Sequence, residues 1–251
     1  MKMNNKPVII AGPCAIESKE QIYEIAWELS QLGIKYLRGG AFKPRTSPKS
    51  FQGLGDIGIK YIRDAADAFN MQVVSEVLDT HQFDRCNDFI DIIQIGSKNM
   101  TSTGLLKYIG KKTSESKKNI LLKRGFFSTI TEFLFAAEYI LNEGNPNIIL
   151  CLRGIRTFEQ IDSLLRNTPD LCGILELKER MKDVQLPVFF DPSHSTGSSK
   201  YVLDIAKAAL LLGADGLLIE CHNNPSVALS DGKQAILPEQ LKTLIDYIKK
   251  S

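Results

Sequence analysis

Four residue types that bind divalent transition metals well are scattered along this chain: Cys14, His194, Glu220 and Asp231. A thiolate, an imidazole and two carboxylates form a mixed donor set suited to Mn, Fe, Co or Zn. A second concentration of chemistry lies in LRGGAFKPRTSPKSFQGLG, Leu37 to Gly55, where Arg38, Lys43, Arg45 and Lys49 are interleaved with glycines and prolines. Glycines let backbone approach a ligand, prolines stiffen a loop, and Arg and Lys recognise phosphate and carboxylate. Further cations follow at Lys98, Lys123, Arg124 and Arg153. Brought to one mouth, such charges repel unless anions bind among them, so the pattern predicts a ligand with more than one anionic group. Cys14 also suits a small buried position. Cys221 and His222, flanking Glu220, compete as ligands on composition, although Cys221 has the opposite strand parity and should face away. His81, beside Asp79 and Thr80 at a helix start, reads as surface.

These residues need elements to position them. Eight short apolar runs recur: PVIIAG (7–12), IKYLRG (34–39), MQVVSEV (71–77), DIIQIG (91–96), NILLKRG (119–125), NIILCLRG (147–154), LPVFFDPS (186–193) and DGLLIECH (215–222). Between them lie stripes at helical spacing: Ile22, Ile25, Ala26, Leu29 and Leu32; Ile59, Ile62, Ala65, Ala66 and Phe69; Phe133, Ala136, Ala137 and Ile140; Ile205, Ala208, Ala209 and Leu212. Ser18, Asp56, Ser102 and Pro238 suit helix starts, and Gly33 and Gly213 suit helix ends. Eight strand–helix units with continuously apolar strands predict a single-domain α/β fold, a (β/α)8 TIM barrel, rather than an open doubly wound sheet, which would more often carry GxGxxG after its first strand. Such barrels work at the C-terminal ends of their strands. Reading those ends gives Cys14, Arg38, Glu76, Ser97 with Lys98, Lys123, Arg153, Asp191 with His194, and Glu220.

The bulk numbers are those of an ordinary globular chain. The chain has 251 residues, 24% of them charged, and a net charge of only +2, so no strong field draws it to nucleic acid or a membrane surface. No run approaches the roughly 20 apolar residues of a membrane span, and the N-terminal apolar stretch is too short for a signal peptide. The five cysteines include no CxxC and read as thiols in a reducing, cytoplasmic setting. The first strand begins at Pro7 and the last helix ends near the final residue. The expectation is therefore one catalytic barrel over 1–251, without an added regulatory domain.

Taken together, AGPCAIES, LRGGAFKPRTSPKSFQGLG, DIIQIGSKN, LLKRGF, CLRGIRTFE, FFDPSHSTG and IECHNNPSVALSDGKQ resemble the 3-deoxy-D-arabino-heptulosonate 7-phosphate (DAHP) synthase family. The likeness is to its short microbial class, related to 3-deoxy-octulosonate 8-phosphate synthase. It covers residues 7 to about 248, with the motifs in family order. The resemblance implies a metal-dependent condensation of phosphoenolpyruvate with erythrose 4-phosphate, the first step of the shikimate pathway to chorismate and the aromatic amino acids. It implies Cys14, His194, Glu220 and Asp231 as ligands of a divalent metal. It implies Arg38, Lys43, Ser97, Lys98, Lys123 and Arg153 at the phosphoenolpyruvate site, with Glu76 nearby. Lys43, Pro44, Arg45 and Thr46 match the segment holding the aldose phosphate, and Asp191 lies near the aldehyde end. Lys43 is the expected proton donor, its pKa lowered by surrounding cations, with Asp191 and His194 also in catalytic positions. A homo-oligomer, dimer or tetramer, is expected from the family.

The sister synthase uses arabinose 5-phosphate and typically reads KANRSS where this chain reads KPRTS, which favours the heptulosonate type. Other readings of the same residues are a Schiff-base aldolase using Lys123 and a non-catalytic phosphosugar-binding barrel. The chain departs from the family at Ser97-Lys98, usually Ala-Arg; at Leu152, often Glu; and at Ser198-Ser199, often Arg-Arg.

Overall fold

The computed structural model describes residues 6–45, 47–158 and 166–250. Each expected apolar run forms a strand: β1 (Val8–Gly12), β2 (Tyr36–Arg38), β3 (Gln72–Glu76), β4 (Ile92–Ile95), β5 (Asn119–Lys123), β6 (Ile148–Leu152), β7 (Val188–Phe190) and β8 (Gly216–Glu220). They pair in parallel in sequence order, and β8 closes onto β1 through a register running from Val8↔Gly216 to Gly12↔Glu220. The helices are α1 (Lys19–Gln31), α2 (Asp56–Ala68), α3 (Thr80–Cys86), α4 (Thr103–Lys112), α5 (Ile130–Leu141), α6 (Cys172–Arg180), α7 (Pro192–Thr196), α8 (Ser199–Leu211) and α9 (Pro238–Lys250). This is a (β/α)8 barrel.

Helix starts follow local chemistry. Ser18 accepts a hydrogen bond from the Gln21 amide, Asp79 from that of Gln82, and Thr129 forms a reciprocal capping box with Glu132. Helices α1 and α8 are followed by Gly33 and Gly213 at φ of 78° and 91°, left-handed positions that glycine occupies without strain. In three of the four apolar stripes every residue is buried except the last ones of the first two, Leu32 and Phe69, which are partly covered. The fourth is out of phase: α8 buries Val202, Ala206 and Ala209, while Ile205, Ala208 and Leu212 are only partly covered. That helix is apolar over most of its surface, so spacing alone did not choose its inner face.

Strand parity sorts the interior. Ile10, Val74, Ile92, Leu121, Ile149, Phe189 and Leu218 pack together inside the barrel, with Tyr36 against them. Their neighbours Leu37, Val73, Ile93, Leu122, Leu150 and Leu217 face the helices in the larger outer core. A strand's side chains alternate with period two. Two residues above the inner apolar layer, the same inward face therefore presents Arg38, Glu76, Gln94, Lys123, Asp191 and Glu220. The apolar plug below excludes water from one side of this polar layer.

The Leu37–Gly55 stretch leaves β2 as a long excursion and returns to α2. It is held by Lys43 N–H to the Gln52 carbonyl at 2.8 Å, Gly55 N–H to the Ala41 carbonyl at 2.9 Å and Arg45 Nε to the Phe51 carbonyl at 3.0 Å. Gly53 closes it at φ 96°, where a Cβ would lie 2.0 Å from the Ala41 oxygen. Gly53→Ala should therefore destabilise the fold by about 1–3 kcal/mol, which lowers the melting temperature by roughly 2–10 °C for a chain of this size. Differential scanning calorimetry checks this; an unchanged melting temperature would show that the turn relaxes freely.

Candidate active site

Four side chains from distant parts of the chain meet at the C-terminal mouth. Cys14 lies just beyond β1, His194 in α7 after β7, Glu220 at the end of β8, and Asp231 in the following loop. One donor atom from each lies within 4.8 Å of the others. Cys14 Sγ is 3.2 Å from Asp231 Oδ2, and His194 Nε2 is 3.3 Å from Glu220 Oε1 and 3.8 Å from Asp231 Oδ2. Asp231 adopts φ 54°, ψ 27°, uncommon for a residue with a side chain. The four residues are scattered in sequence, and it is their positions at the ends of the first, seventh and eighth strand units, made neighbours by the closure of β8 onto β1, that produce the grouping.

The protonation states suit a cation. Burial pushes the His194 pKa below its ordinary value, against the pull of Asp191 and Glu220, so the ring is neutral near pH 7. Its Nδ1 lies 2.7 Å from Asp191 Oδ2. A proton on Nδ1 leaves the Nε2 lone pair directed at the cluster, the arrangement by which a carboxylate orients a metal-binding imidazole. Burial alone would raise Glu220, but His194 and Arg38 outweigh it and hold the carboxyl below its ordinary range. Asp231 is likewise held low against burial, by His194 and Arg166. Burial, reinforced by Glu220, pushes the Cys14 thiol up to about 12. Two ionised carboxylates beside a thiol that resists ionisation form a set that a divalent cation would complete, because the cation favours thiolate and offsets carboxylate repulsion.

The cations divide into two groups. Arg38 pairs with Glu220 Oε1 at 2.7 Å, Lys123 pairs with Asp191, and Arg166 lies 3.0 Å from Asp231 Oδ1. Arg124, expected at the mouth, instead turns outward to Asp170 at 2.6 Å and to the Ser128 carbonyl. Its backbone parity follows Leu122, toward the helix layer, and not Lys123. In contrast, Lys43, Arg45, Lys98 and Arg153 have no carboxylate at ion-pair distance among the described residues, and all line one cleft with Glu76, Ser97 and Phe126. Arg153 stacks on Phe126 at 4.4 Å, gives Nη2 to the His194 carbonyl, and keeps a buried Nε without a partner. Burial pushes its pKa down, as expected of a cation lacking a counter-ion. The Ser97 hydroxyl is also buried without a partner.

Lys43 corrects an expectation. Burial lowers its pKa, but the Cys14 sulfur and the Glu76 carboxylate outweigh this, and the net shift is upward. It is an ammonium, 2.9 Å from the Cys14 carbonyl and 3.0 Å from Cys14 Sγ. Lys98 reaches across the mouth to the Pro44 carbonyl at 2.6 Å. Pro44 and Arg45 border the cleft, whereas Thr46 lies outside the described residues. Cys221 packs in the outer core, as parity required. His222 accepts the Asn224 N–H at Nδ1 and approaches Gln21, away from the cluster; His81 is exposed. Sequence reasoning missed Gln94, Phe126, Arg166 and Gln234. Gln94 was discoverable as the polar residue within DIIQIG on the inward parity of Ile92; Phe126 and Gln234 end the motifs LLKRGF and SDGKQ but their residue types point to no particular role, and Arg166 lies in no motif.

Comparison with known proteins agrees with this geometry. The DAHP synthetase I family matches residues 2–251. A phospho-2-dehydro-3-deoxyheptonate aldolase of Thermotoga maritima is 48% identical over 242 residues, spanning 96% of this chain and 69% of that protein. A 2-dehydro-3-deoxyphosphooctonate aldolase of Bordetella petrii is 29% identical over 266 residues, 95% of this chain and 89% of that protein. The crystal structure of the Thermotoga DAHP synthase superposes with a TM-score of 0.89 at 46% identity, covering 98% of this chain and 69% of that one. A truncated form of the Thermotoga enzyme gives 0.87 at 44% identity, covering 98% and 87%.

Asp191 carries a checkable consequence, since its buried carboxylate serves Lys123 and His194 together. Asp191→Asn should cost about 3–5 kcal/mol of stability by leaving the Lys123 ammonium buried without a counter-charge. Urea denaturation in the presence of chelator, which removes any metal contribution, measures this; a loss below 1 kcal/mol would mean that Lys123 finds solvent instead.

Proposed function

Because this chain belongs to the DAHP synthetase I family, we infer that it condenses phosphoenolpyruvate with erythrose 4-phosphate and water to give 3-deoxy-D-arabino-heptulosonate 7-phosphate and phosphate. The observation that carries the reading is the Cys14–His194–Glu220–Asp231 cluster beside a cleft where Lys43, Arg45, Lys98 and Arg153 have no carboxylate at ion-pair distance among the described residues. The first provides a site for a divalent metal and the second a site for a multiply charged anion, as this pair of substrates requires. KPRTS at 43–47 and the 48% identity to a heptulosonate-type relative, against 29% to an octulosonate-type one, favour erythrose 4-phosphate over arabinose 5-phosphate.

In the proposed mechanism, Arg153, Lys98, Lys123 and the Ser97 hydroxyl hold the phosphate and carboxylate of phosphoenolpyruvate, with their charge already in place when the reaction begins. Arg153 is aligned by Phe126. Arg45, with the Pro44 backbone, receives the aldose phosphate. The methylene carbon attacks the aldehyde carbon, water adds to the former enol carbon as positive charge develops there, and the tetrahedral adduct loses phosphate. Lys43 stands between the two subsites as an ammonium and donates a proton to the aldehyde oxygen. Its raised pKa keeps it protonated, as a proton donor must be, while making the ammonium a weaker acid than an ordinary lysine. Asp191 is assigned a positioning role, because both of its oxygens are engaged by His194 and Lys123. A divalent metal held by Cys14, His194, Glu220 and Asp231 would supply Lewis acidity or water orientation. Among the described residues no helix is long and apolar enough to cross a membrane, which is compatible with a cytoplasmic enzyme. We propose a homo-oligomer, as expected from the family.

Phosphate release from phosphoenolpyruvate should be rapid with erythrose 4-phosphate and weak with arabinose 5-phosphate. Exhaustive chelation should abolish it, and Mn, Co or Zn should restore part. Full activity in a sample shown by elemental analysis to be free of metal would overturn the metal assignment, and a preference for the pentose would overturn the substrate. Cys14→Ser should lower bound metal by removing the softest ligand.

Lys98→Ala removes one charge-assisted hydrogen bond, about 1.5–3 kcal/mol, so kcat/KM for phosphoenolpyruvate should fall roughly 10- to 150-fold. Lys98→Arg should be tolerated. Steady-state kinetics with each substrate varied in turn decide the matter; an unchanged specificity constant in the alanine variant removes Lys98 from the site.

A further inference from the structure

We propose that Arg166 and Gln234 are positioning residues that limit both carboxylates of the metal cluster to one inward-facing oxygen each. The inference rests on the metal reading of Cys14, His194, Glu220 and Asp231, and concerns residues outside that set. Gln234 follows Asp231 by three positions and is almost completely buried. Both ends of its amide are engaged. Its Nε2 donates to Glu220 Oε2 at 2.5 Å, and its Oε1 accepts from Arg166 Nη1 at 2.9 Å. The same Nη1 donates to Asp231 Oδ1 at 3.0 Å. One guanidinium and one amide thus link the outer oxygens of both carboxylates.

The inner oxygens are the ones at the cluster. Asp231 Oδ2 faces Cys14 Sγ at 3.2 Å, and Glu220 Oε1, which also accepts from Arg38 Nη1 at 2.7 Å, faces His194 Nε2 at 3.3 Å. A carboxylate whose second oxygen already accepts a hydrogen bond is poorly placed to bind a cation through both oxygens. The donors also fix the rotation of each carboxylate, as partners of metal ligands generally do. Arg166 lies between β6 and α6, and Gln234 lies after β8, so the link ties two separate segments to one cluster. An ordinary surface ion pair would explain Arg166–Asp231 alone, since that arginine is half exposed. It does not explain a buried glutamine whose amide orientation is set by a carboxylate on one side and the guanidinium on the other.

The test uses the full chain, stripped of metal and titrated with Co2+ against a competing chelator. The near-ultraviolet thiolate-to-cobalt band reports Cys14, and the visible d–d bands report geometry. Gln234→Ala and Arg166→Ala should each weaken Co2+ binding about 10- to 100-fold and change the d–d bands while the thiolate band persists. Arg166→Lys should recover part of the loss. Combining the two alanine changes should cost less than the product of the single effects, because they cut one linked unit. Affinities within twofold of the parent with unchanged spectra would overturn the proposal. So would an Arg166→Ala enzyme whose only defect is a higher KM for the aldose phosphate, which would make Arg166 a substrate contact. If Gln234→Ala does not fold, Arg166→Ala, at a half-exposed position, decides alone. A parent protein that binds Co2+ without a thiolate band would refute the metal reading itself, and the proposal with it.

Discussion

The structure depends on neutralising carboxylates that the barrel takes out of water. Asp191 and Glu220 are fully buried, and Asp231 is largely so. A buried ion without a partner is costly by several kcal/mol, and each of these has its own cation: Lys123 for Asp191, Arg38 for Glu220, Arg166 for Asp231. These pairings hold the acids ionised at the mouth. They also determine which positive charges remain for a ligand. Lys43, Arg45, Lys98 and Arg153 are left over, and they form the wall of the cleft. The paired Arg38, Lys123 and Arg166 border the same cleft, so the mouth combines cations that neutralise buried carboxylates with cations that have no carboxylate at ion-pair distance among the described residues.

This separation has a geometric origin. In a closed parallel barrel the inward faces of the strands form layers. Here an apolar layer containing Ile10, Val74, Ile92, Leu121, Phe189 and Leu218 lies directly below a polar one. The lower layer seals the barrel, so the upper layer opens only toward the loops. Low dielectric below and water above strengthen each pairing and leave ligand access from one side. Gly96 extends the same logic: a Cβ there would come within 1.9 Å of the Glu76 carboxylate, so the glycine makes room for it.

The family reaction fits this division. Two phosphorylated substrates, one also a carboxylate, must be held close to each other despite their mutual repulsion. Cations without a carboxylate at ion-pair distance among the described residues line the cleft and would offset that repulsion, and Arg153 among them is buried and stacked on Phe126. Lys43 sits where the cation wall meets the metal cluster, in contact with Cys14 and under the influence of Glu76. That location keeps it protonated, whereas a wholly cationic surrounding would have driven the proton off.

Much of this was legible from the sequence, because periodicity and strand ends are local properties. Eight apolar runs with intervening helical stripes specify the barrel, and period-two alternation already placed Glu220 inward and Cys221 outward. The motifs from AGPC to SDGKQ carry the family. What the chain could not express locally is which charge meets which. Arg124 and Lys123 are adjacent and chemically alike, yet one is bound to Asp170 outside and the other to Asp191 inside. Lys43 was expected to be depressed by its cationic neighbours in sequence, but its neighbours in space include Glu76 and the Cys14 sulfur. Arg166 lies in none of the family motifs, and Gln234, though it ends the SDGKQ motif, carries no residue type that marks it as a partner of the cluster. Coulomb energies depend on distance and burial across the closed barrel, and residues separated by 65 positions in sequence, such as Arg166 and Asp231, acquire those distances only when the strands pair into the barrel.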